Sequence, residues 1–241
     1  MDLHVHTCLS PCAELSMVPR TIVDRARQTG LDAVGICDHN AAANVQAVCE
    51  AGREAGIAVI AGMEVTTAEE IHLLALFESE KKLLKFADLV RNHLSGSNDP
   101  ELFGDQIVVG KNGDPTALEE SLLIGATDLG VNRMVKEIHQ LEGLAIASHV
   151  DRQTFSILSQ LGFIPAELDL DGVELSQRAG PEEHYELRGL PVVRCSDAHF
   201  PEEIGSAFTT FFIEEASVAE IGMALAAREG RKILKCRARD S

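Results

Sequence analysis

The chain has 241 residues, and its 21 lysine and arginine residues against 38 aspartate and glutamate residues give a formal net charge of −17. This acidic balance disfavours long nucleic acids as partners, because proteins that bind them usually carry a basic face. Since no apolar run reaches the roughly 18 residues of a membrane span and the first residues lack a signal-peptide pattern, we expect a cytoplasmic protein with no membrane partner. Its six cysteines are then expected to be reduced.

Short apolar runs alternate with longer amphipathic ones along the chain. The predicted strands, in chain order, are Asp2–Val5, Ala33–Cys37, Ala58–Gly62, Ile71–Phe77, Leu144–Ser148, Gly172–Leu175, Val192–Cys195 and Phe208–Ile213. The predicted helices are Thr21–Gln28, Ala41–Ala55, Lys81–Leu94, Asn132–Leu141, Thr154–Leu161 and Val218–Arg228. This alternation predicts an α/β fold on a mostly parallel sheet.

Two segments break the alternation. The residues between Gly62 and Ile71 are too few for a crossover helix, so the two strands on either side are expected to run antiparallel. The segment from about 95 to 130 has turn signals around a short apolar strand and predicts an inserted flap or hairpin. We predict a single domain over 1–241, a distorted barrel with this small insertion. Its basic tail, 230–241, is expected to form a charged surface strand.

The sequence begins with two histidines in one strand. His4 and His6 are two residues apart, and strict alternation would place both side chains and that of Asp2 on one face. Two imidazoles placed in this way can share a metal ion, and Asp2 could orient one of the rings. Alone, the pattern is weak, because polar strand ends are common.

The same chemistry recurs at the ends of the other strands. Because active sites of α/β barrels lie at the carboxyl ends of the strands, these side chains are expected to converge on one rim. The residues concerned are Asp38, His39, Glu64, His72, His149, Asp197 and His199. Imidazole and carboxylate ligands suit Zn, Mn or Fe, and a set larger than four indicates more than one ion. The other three histidines, His93, His139 and His184, are expected at the surface.

Taken together, these motifs resemble the PHP (polymerase and histidinol phosphatase) family. The segments that carry the resemblance are DLHVHT, ICDHN, GMEVTT, IHLL, ASHVDR and CSDAHF, and they span about residues 2 to 200. The resemblance implies a distorted (β/α)7 TIM-like barrel and a site for two or three divalent metal ions (Mn, Fe or Zn). It also implies hydrolysis of phosphoesters with a metal-bridged water as nucleophile.

The resemblance also implies a distribution of the metal ligands. His4, His6, Glu64 and Asp197 would hold one metal ion. Glu64 would bridge to a second ion that is held by His72 and His149. A third ion would lie between His39 and His199.

One loop departs from the family pattern. Many members supply a further His or Asp to the third site from the loop that follows the first two histidines. Here that loop reads TCLSPCAEL, and it offers Cys8, Ser10, Cys12 or Glu14. The third ion is therefore weakly held, thiolate-bound or absent, and a reduced structural thiol is the simplest interpretation of Cys12.

The resemblance implies that Glu64 is the bridging carboxylate. Either His199 or Asp38 could hydrogen-bond to the leaving oxygen or protonate it, and the sequence does not decide between them. Arg152 and Arg178 follow strand ends on the expected rim and could each clamp a phosphate. Salt bridges or solvent exposure would explain the two arginines equally well.

We therefore predict a metal-dependent phosphoesterase for small phosphorylated substrates, which are phosphomonoesters, nucleotides or short oligonucleotides. The first alternative is a catalytically inactive barrel that keeps its metal for a structural or regulatory role. The second is a metal-dependent amidohydrolase. Amidohydrolases usually carry a metal-bridging lysine in mid-barrel, and the corresponding segments here, GMEV and IHLL, supply no lysine, so this alternative is less favoured. No protein partner can be inferred.

Overall fold

The computed structural model describes residues 1–238 of the chain. Its eleven strands are β1 (Asp2–Val5), β2 (Ala33–Ile36), β3 (Ala58–Thr66), β4 (His72–Phe77), β5 (Ile107–Val109), β6 (Pro115–Leu118), β7 (Leu144–Ala147), β8 (Gly172–Leu175), β9 (Val192–Arg194), β10 (Ala207–Phe212) and β11 (Lys232–Ala238). Its α-helices are α1 (Pro19–Thr29), α2 (Val45–Ala55), α3 (Glu80–His93), α4 (Pro100–Phe103), α5 (Val131–Gln140), α6 (Ile157–Leu161) and α7 (Val218–Leu225). In this part of the chain no helix has the length and apolar character needed to cross a bilayer.

Seven strands form a nearly closed barrel. They follow the order β1-β2-β3-β4-β7-β8-β9. The two ends of the sheet meet where Val5 bridges Ala198 and where the His6 amide donates to the Ala198 carbonyl at 3.0 Å. The predicted distorted TIM-like barrel is confirmed.

The distortion comes from β4, which runs antiparallel to both of its neighbours, β3 and β7. Glu64 pairs with Leu74 and Thr66 pairs with His72 across the β3–β4 ladder. The short connection after β3 leaves room for a turn only, so the prediction that these two strands are antiparallel is correct. As a consequence, the beginning of β4 lies beside the end of β3, at the rim of the barrel.

Burial of apolar side chains on both faces of the sheet stabilises the barrel. The outer face packs against α1, α2, α3 and α5 through residues such as Ile22, Val48, Phe86 and Met134, all of them fully buried. The interior away from the rim is filled by a second cluster that includes Leu3, Leu74 and Ile146. At Gly35 the backbones of β1 and β2 approach closely, since a Cβ there would lie 2.4 Å from the Leu3 carbonyl oxygen.

The insertion contains α4 and the antiparallel pair β5–β6. Buried asparagine side chains tie it to the barrel: Asn44 donates to the Ile107 carbonyl at 3.0 Å and accepts from the Val109 amide at 2.9 Å. Asn40 donates to the carbonyls of Leu123 and Gly125. The limits of a single domain stay a prediction.

After β9 the chain runs to the end of the barrel that lies opposite the rim. β10 and β11 form a two-stranded antiparallel sheet, which packs with α7 below the second apolar cluster. β11 is a largely exposed strand, and the last three residues of the predicted tail, 239–241, lie outside the described residues.

Candidate metal centre

The structure brings all eight predicted metal ligands to one rim of the barrel. They come from β1, from the end of β3, from the start of β4, and from the segments that follow β1, β2, β7 and β9. The ligands are His4, His6, His39, Glu64, His72, His149, Asp197 and His199, and all but the partly exposed His199 are buried. The hydrogen bonds and ring contacts among them connect the whole set.

Glu64 lies at the centre of the cluster and directs its two oxygens to different histidines. Oε1 lies 2.9 Å from Nδ1 of His72 and 3.0 Å from Nε2 of His149. Oε2 lies 3.1 Å from Nδ1 of His39 and 3.4 Å from Nε2 of both His4 and His6. This is the geometry of a carboxylate that can bridge two cations.

Three groups of ligand atoms are compact enough to hold an ion. In each group the atoms lie within 4.8 Å of one another. The groups are His4 with His6, Glu64 and Asp197; His39 with Glu64 and His72; and His6 with His39 and His199. The first has the composition that the resemblance implies, and His149 adjoins the second through Oε1 of Glu64.

The electrostatics of the cluster are those of an anionic pocket. Burial opposes protonation of His6, but the carboxylates of Asp197 and Glu64 outweigh it and raise the pKa of this imidazole to about 9. The pKa of His4 is likewise raised, against burial, by Glu174, Asp197 and Glu64. Burial and the neighbouring His6 lower the pKa of His199 to about 4. The carboxylates around His4 and His6 therefore favour positive charge at this position.

The residues fit divalent metal ions on their own geometry. Nε2 of His4 and Nε2 of His6 approach to 3.1 Å and also face Oδ1 of Asp197 at 3.2 and 3.1 Å. Nδ1 of His149 is buried without a hydrogen-bond partner, and Nδ1 of His39 is buried and lies near Oε2 of Glu64 without the geometry of a hydrogen bond. Within residues 1–238, one salt bridge from a lysine or arginine reaches the carboxylates of Glu64, Glu174 and Asp197, and it comes from Arg152. Convergent nitrogens and uncompensated carboxylates are a donor set for Zn, Mn or Fe.

Neighbouring polar groups fix the ring of His6. Ser10 Oγ donates to Asp38 Oδ1 at 2.7 Å, so it accepts from Nδ1 of His6 at 2.9 Å and leaves Nε2 facing the cluster. Asp38 is fully buried and also accepts from the amide and hydroxyl of Thr7 at 2.7 and 2.8 Å. These bonds favour a role for Asp38 in holding the loop. Nδ1 of His199 bonds to the Asp197 carbonyl at 2.9 Å, so His199 needs a second proton, on Nε2, to donate to a leaving group.

Asp2 does not orient a histidine ring, so that interpretation is wrong. The register of β1 against β2 shifts between Asp2 and Val5, and such a bulge breaks the strict alternation of side chains. Asp2 accepts instead from the amide and hydroxyl of Ser196 and from the amide of Gly205. The carboxylate that contacts Nδ1 of His4, the ring nitrogen turned away from Asp197, is Glu174 of β8, at 3.0 Å. The sequence signal for it was a charged residue inside an otherwise apolar strand.

An open cavity of about 710 Å³ lies beside the cluster. Arg152, Arg178, Asp197 and His199 all contribute to its wall. Arg152 is 41% exposed and forms a salt bridge of 2.6 Å with Oδ2 of Asp197, whereas Arg178 is exposed. Both predicted phosphate anchors therefore face the space that a substrate would enter.

The cysteines of the loop after β1 have different positions. Cys8 is buried, and its Sγ lies 3.8 Å from the Ile107 carbonyl oxygen, away from the cluster. Cys12 is exposed in the wall of the cavity. Neither thiol belongs to the three ligand groups found among residues 1–238.

Comparison with known proteins identifies the family of the chain. A family model described as PHP domain matches residues 2–156, which contain six of the eight ligands. The chain belongs to the PHP domain family. A second model, described as PHP-associated, matches residues 182–229 of this PHP domain protein.

Solved structures of endonucleases and of an amidohydrolase resemble this fold. The lesion-specific endonuclease EndoQ of Pyrococcus furiosus superposes with a TM-score of 0.71 at 19% identity, over 99% of this PHP domain protein and 58% of that chain. Endonuclease Q bound to a 27-mer duplex with an abasic lesion at the active site gives the same TM-score and identity, over 99% of this chain and 59% of that one. An amidohydrolase from Chromobacterium violaceum has a TM-score of 0.53 at 17% identity, over 85% and 89%. At sequence identities below 20%, these matches show a shared fold and no more.

One relative was found by sequence. A 5'-3' exoribonuclease of Haemophilus influenzae is 33% identical over 78 residues, 31% of this chain and 27% of the relative. The PHP domain protein thus spans less than two thirds of the length of both the exoribonuclease and the endonuclease.

Proposed function

We propose that this PHP domain protein is a metal-dependent phosphoesterase. The observation that carries the proposal is the Glu64 carboxylate, with one oxygen facing His72 and His149 and the other facing His4, His6 and His39. Two divalent ions at such a bridge lower the pKa of a water molecule towards 7 and neutralise charge on a phosphoryl group. We propose Mn, Fe or Zn as the ions.

The protein side chains around the cavity have separate roles in this proposal. His4, His6 and Asp197 would hold one ion, His72 and His149 would hold the second, and His39 and His199 would hold a third. Arg152 and Arg178 bind the phosphoryl oxygens, because guanidinium groups pair well with phosphate. His199, at the exposed side of the cluster, hydrogen-bonds to the leaving oxygen or protonates it.

We infer a small phosphorylated substrate: a phosphomonoester, a nucleotide or a short oligonucleotide. The formal charge of −17 opposes the approach of a long polyanion, and the carboxylates of Asp151 and Glu203 also line the cavity. The exoribonuclease and the endonuclease act on nucleic acids, which favours oligonucleotides within this class. A longer nucleic acid is the alternative that the same assay tests.

A catalytically inactive barrel with structural metal is the competing function. The eight converging candidate ligands and the open cavity beside them argue against an inactive barrel, since neither is needed for stability alone. The amidohydrolase alternative rests on likeness of the fold, and the ligand groups found among residues 1–238 contain only histidine, aspartate and glutamate.

The test is phosphate release after reconstitution of the metal-free protein with Mn²⁺, Fe²⁺ or Zn²⁺. The panel contains mononucleotides, nucleoside bisphosphates, sugar phosphates, histidinol phosphate, short oligonucleotides and a duplex. Release from one class by the wild type, and none by Glu64→Gln, would support the proposal. An absence of release across the panel, with full metal loading, would favour the inactive barrel.

A further inference from the structure

Glu174 is a buried carboxylate for which the proposed hydrolysis has no direct use. It lies in β8 and has 0% of its surface exposed. Its Oε2 and Oε1 lie 3.0 and 3.2 Å from Nδ1 of His4, on the side of the ring opposite Asp197. Because Nε2 of His4 faces the cluster, Nδ1 carries the hydrogen that Glu174 accepts.

The same carboxylate also holds the segment that carries His149. Oε2 accepts from the His149 amide at 3.1 Å, and the Glu174 backbone carbonyl accepts from the Val150 amide at 2.9 Å. His149 has a φ of +27°, a conformation that a residue with a side chain rarely adopts. Such a conformation persists only where surrounding contacts fix it, and Glu174 supplies two of these contacts.

His4 and His149 serve different parts of the cluster. Nε2 of His4 belongs to the group with His6 and Asp197, whereas Nε2 of His149 faces Oε1 of Glu64 at 3.0 Å. A single carboxylate therefore contacts one ligand of each of the two proposed metal positions.

We propose that Glu174 is a positioning residue that sets the affinity of both metal positions together. It keeps His4 in the tautomer whose Nε2 is free to bind a cation, and it fixes the turn that aims His149 at Glu64. The inference rests on the metal-dependent function proposed above. Partners of this kind typically contribute 10- to 100-fold to metal affinity when they are removed one at a time.

The experiment measures metal binding without turnover. Metal-free wild type, Glu174→Gln and Glu174→Ala are titrated with Mn²⁺ and Zn²⁺ by calorimetry, with a competing chelator where binding is tight. The visible absorption spectrum of the Co²⁺-loaded proteins reports ligand geometry. Asp2→Asn is the matched control, because Asp2 is also fully buried in the barrel but bonds to Ser196 and Gly205 in place of a histidine.

We expect Glu174→Ala to weaken both binding events about 10- to 100-fold and to change the Co²⁺ spectrum. Glu174→Gln should fall between this variant and the wild type, because an amide oxygen still accepts from His4 and His149 but carries no charge. Asp2→Asn should bind both ions as the wild type does. Circular dichroism of the metal-free proteins shows whether each variant is folded. If Glu174→Ala does not fold, the comparison of Glu174→Gln with the wild type tests the proposal.

Three other results would contradict either the role of Glu174 or the proposed function. Equal affinities, stoichiometry and spectra in the wild type and the folded Glu174 variants would overturn the positioning role. Weakening of one binding event only would overturn the claim that Glu174 links the two positions. A wild type that binds no divalent ion would instead contradict the proposed function, so the two failures are distinguishable.

Discussion

Oε1 of Glu64 lies 2.9 Å from Nδ1 of His72, a residue eight positions later in the chain. The contact exists because β3 and β4 are antiparallel, so that the end of one strand adjoins the beginning of the next. In a regular barrel of parallel strands, a helix would separate these two positions. The one reversed strand thus allows Glu64 to be shared between two groups of histidines.

Replacing Glu64 by Gln should abolish turnover and lower the metal content. The amide removes the negative charge that both proposed ions share, and it presents one oxygen and one N–H donor group to the cluster in place of two oxygens. Removal of a residue that only hydrogen-bonds to a metal ligand can lower metal affinity up to about 100-fold, and we expect the loss in Glu64→Gln to be larger. Elemental analysis after dialysis and phosphate release measure the two effects.

His93→Ala is the control for this variant. His93 is bonded to Asp128 at 2.6 Å at the surface and is not part of the three ligand groups found among residues 1–238. It should change neither metal content nor turnover. Equal effects of the two substitutions would contradict the site assignment.

Metal binding should release protons and should strengthen as the pH rises. Carboxylates raise the pKa of His6 to about 9 in the metal-free protein and raise that of His4 in the same direction, so both rings carry protons at pH 7. A cation must displace these protons to reach Nε2. We expect the affinity to rise about tenfold or more per pH unit between pH 6.5 and 8.5, in step with the number of protons displaced.

Calorimetry in buffers of different ionisation enthalpy counts the released protons. Glu174→Gln removes one of the carboxylates that raise the pKa of His4, so it should release fewer protons at pH 8. An affinity independent of pH over this range would mean that the two rings are neutral before the metal binds.

Arg178→Ala should raise KM about tenfold while metal affinity stays unchanged. Arg178 is exposed in the cavity wall and makes no salt bridge within residues 1–238, so its removal costs only the proposed contact to phosphate. One charge-assisted hydrogen bond of about 1.5–3 kcal/mol, reduced by exposure to solvent, accounts for this factor. Steady-state kinetics with the best substrate of the panel measure it.

Arg152→Ala should behave differently, which makes it the informative comparison. Its guanidinium pairs with Oδ2 of Asp197, a proposed metal ligand, at 2.6 Å. Removing this positive charge ends its repulsion of a nearby cation, so metal affinity should rise about fivefold, since unit charges near a surface interact by about 1 kcal/mol or more. KM should rise as for Arg178→Ala. An unchanged KM in both variants would remove the two arginines from substrate binding.

Sequence reasoning predicted which histidines and carboxylates meet at the rim, because their positions follow from a rule of the fold. Chemically active side chains recur at strand ends, and the short connection between Gly62 and Ile71 was enough to predict that His72 returns to Glu64. Contacts between segments that are far apart in the chain could not be predicted from the sequence pattern. Glu174 meets His4 across 170 residues, and a bulge in β1 moves Asp2 out of register with the histidines. Both depend on the closure of the barrel, which no local pattern records.

Phe155 offers a last test, because its backbone conformation is strained beside the site. Its φ is +57°, its ring stacks on His72 with centroids 4.7 Å apart, and its carbonyl accepts from the His72 amide at 3.0 Å. The left-handed conformation costs a residue with a side chain about 1–2 kcal/mol, whereas glycine adopts it freely. After allowing for the greater freedom of glycine in the unfolded chain, Phe155→Gly should be about 1 kcal/mol more stable than Phe155→Ala.

Urea unfolding of the metal-free proteins measures this difference. Phe163 provides the matched pair, since it is 59% exposed and its φ is not positive. There the order should reverse, with Phe163→Gly about 0.5–1 kcal/mol less stable than Phe163→Ala, because only the cost in the unfolded chain remains. If glycine were the less stable substitution at both positions, the strain assigned to Phe155 would be absent, and the ring would be held over His72 without conformational cost.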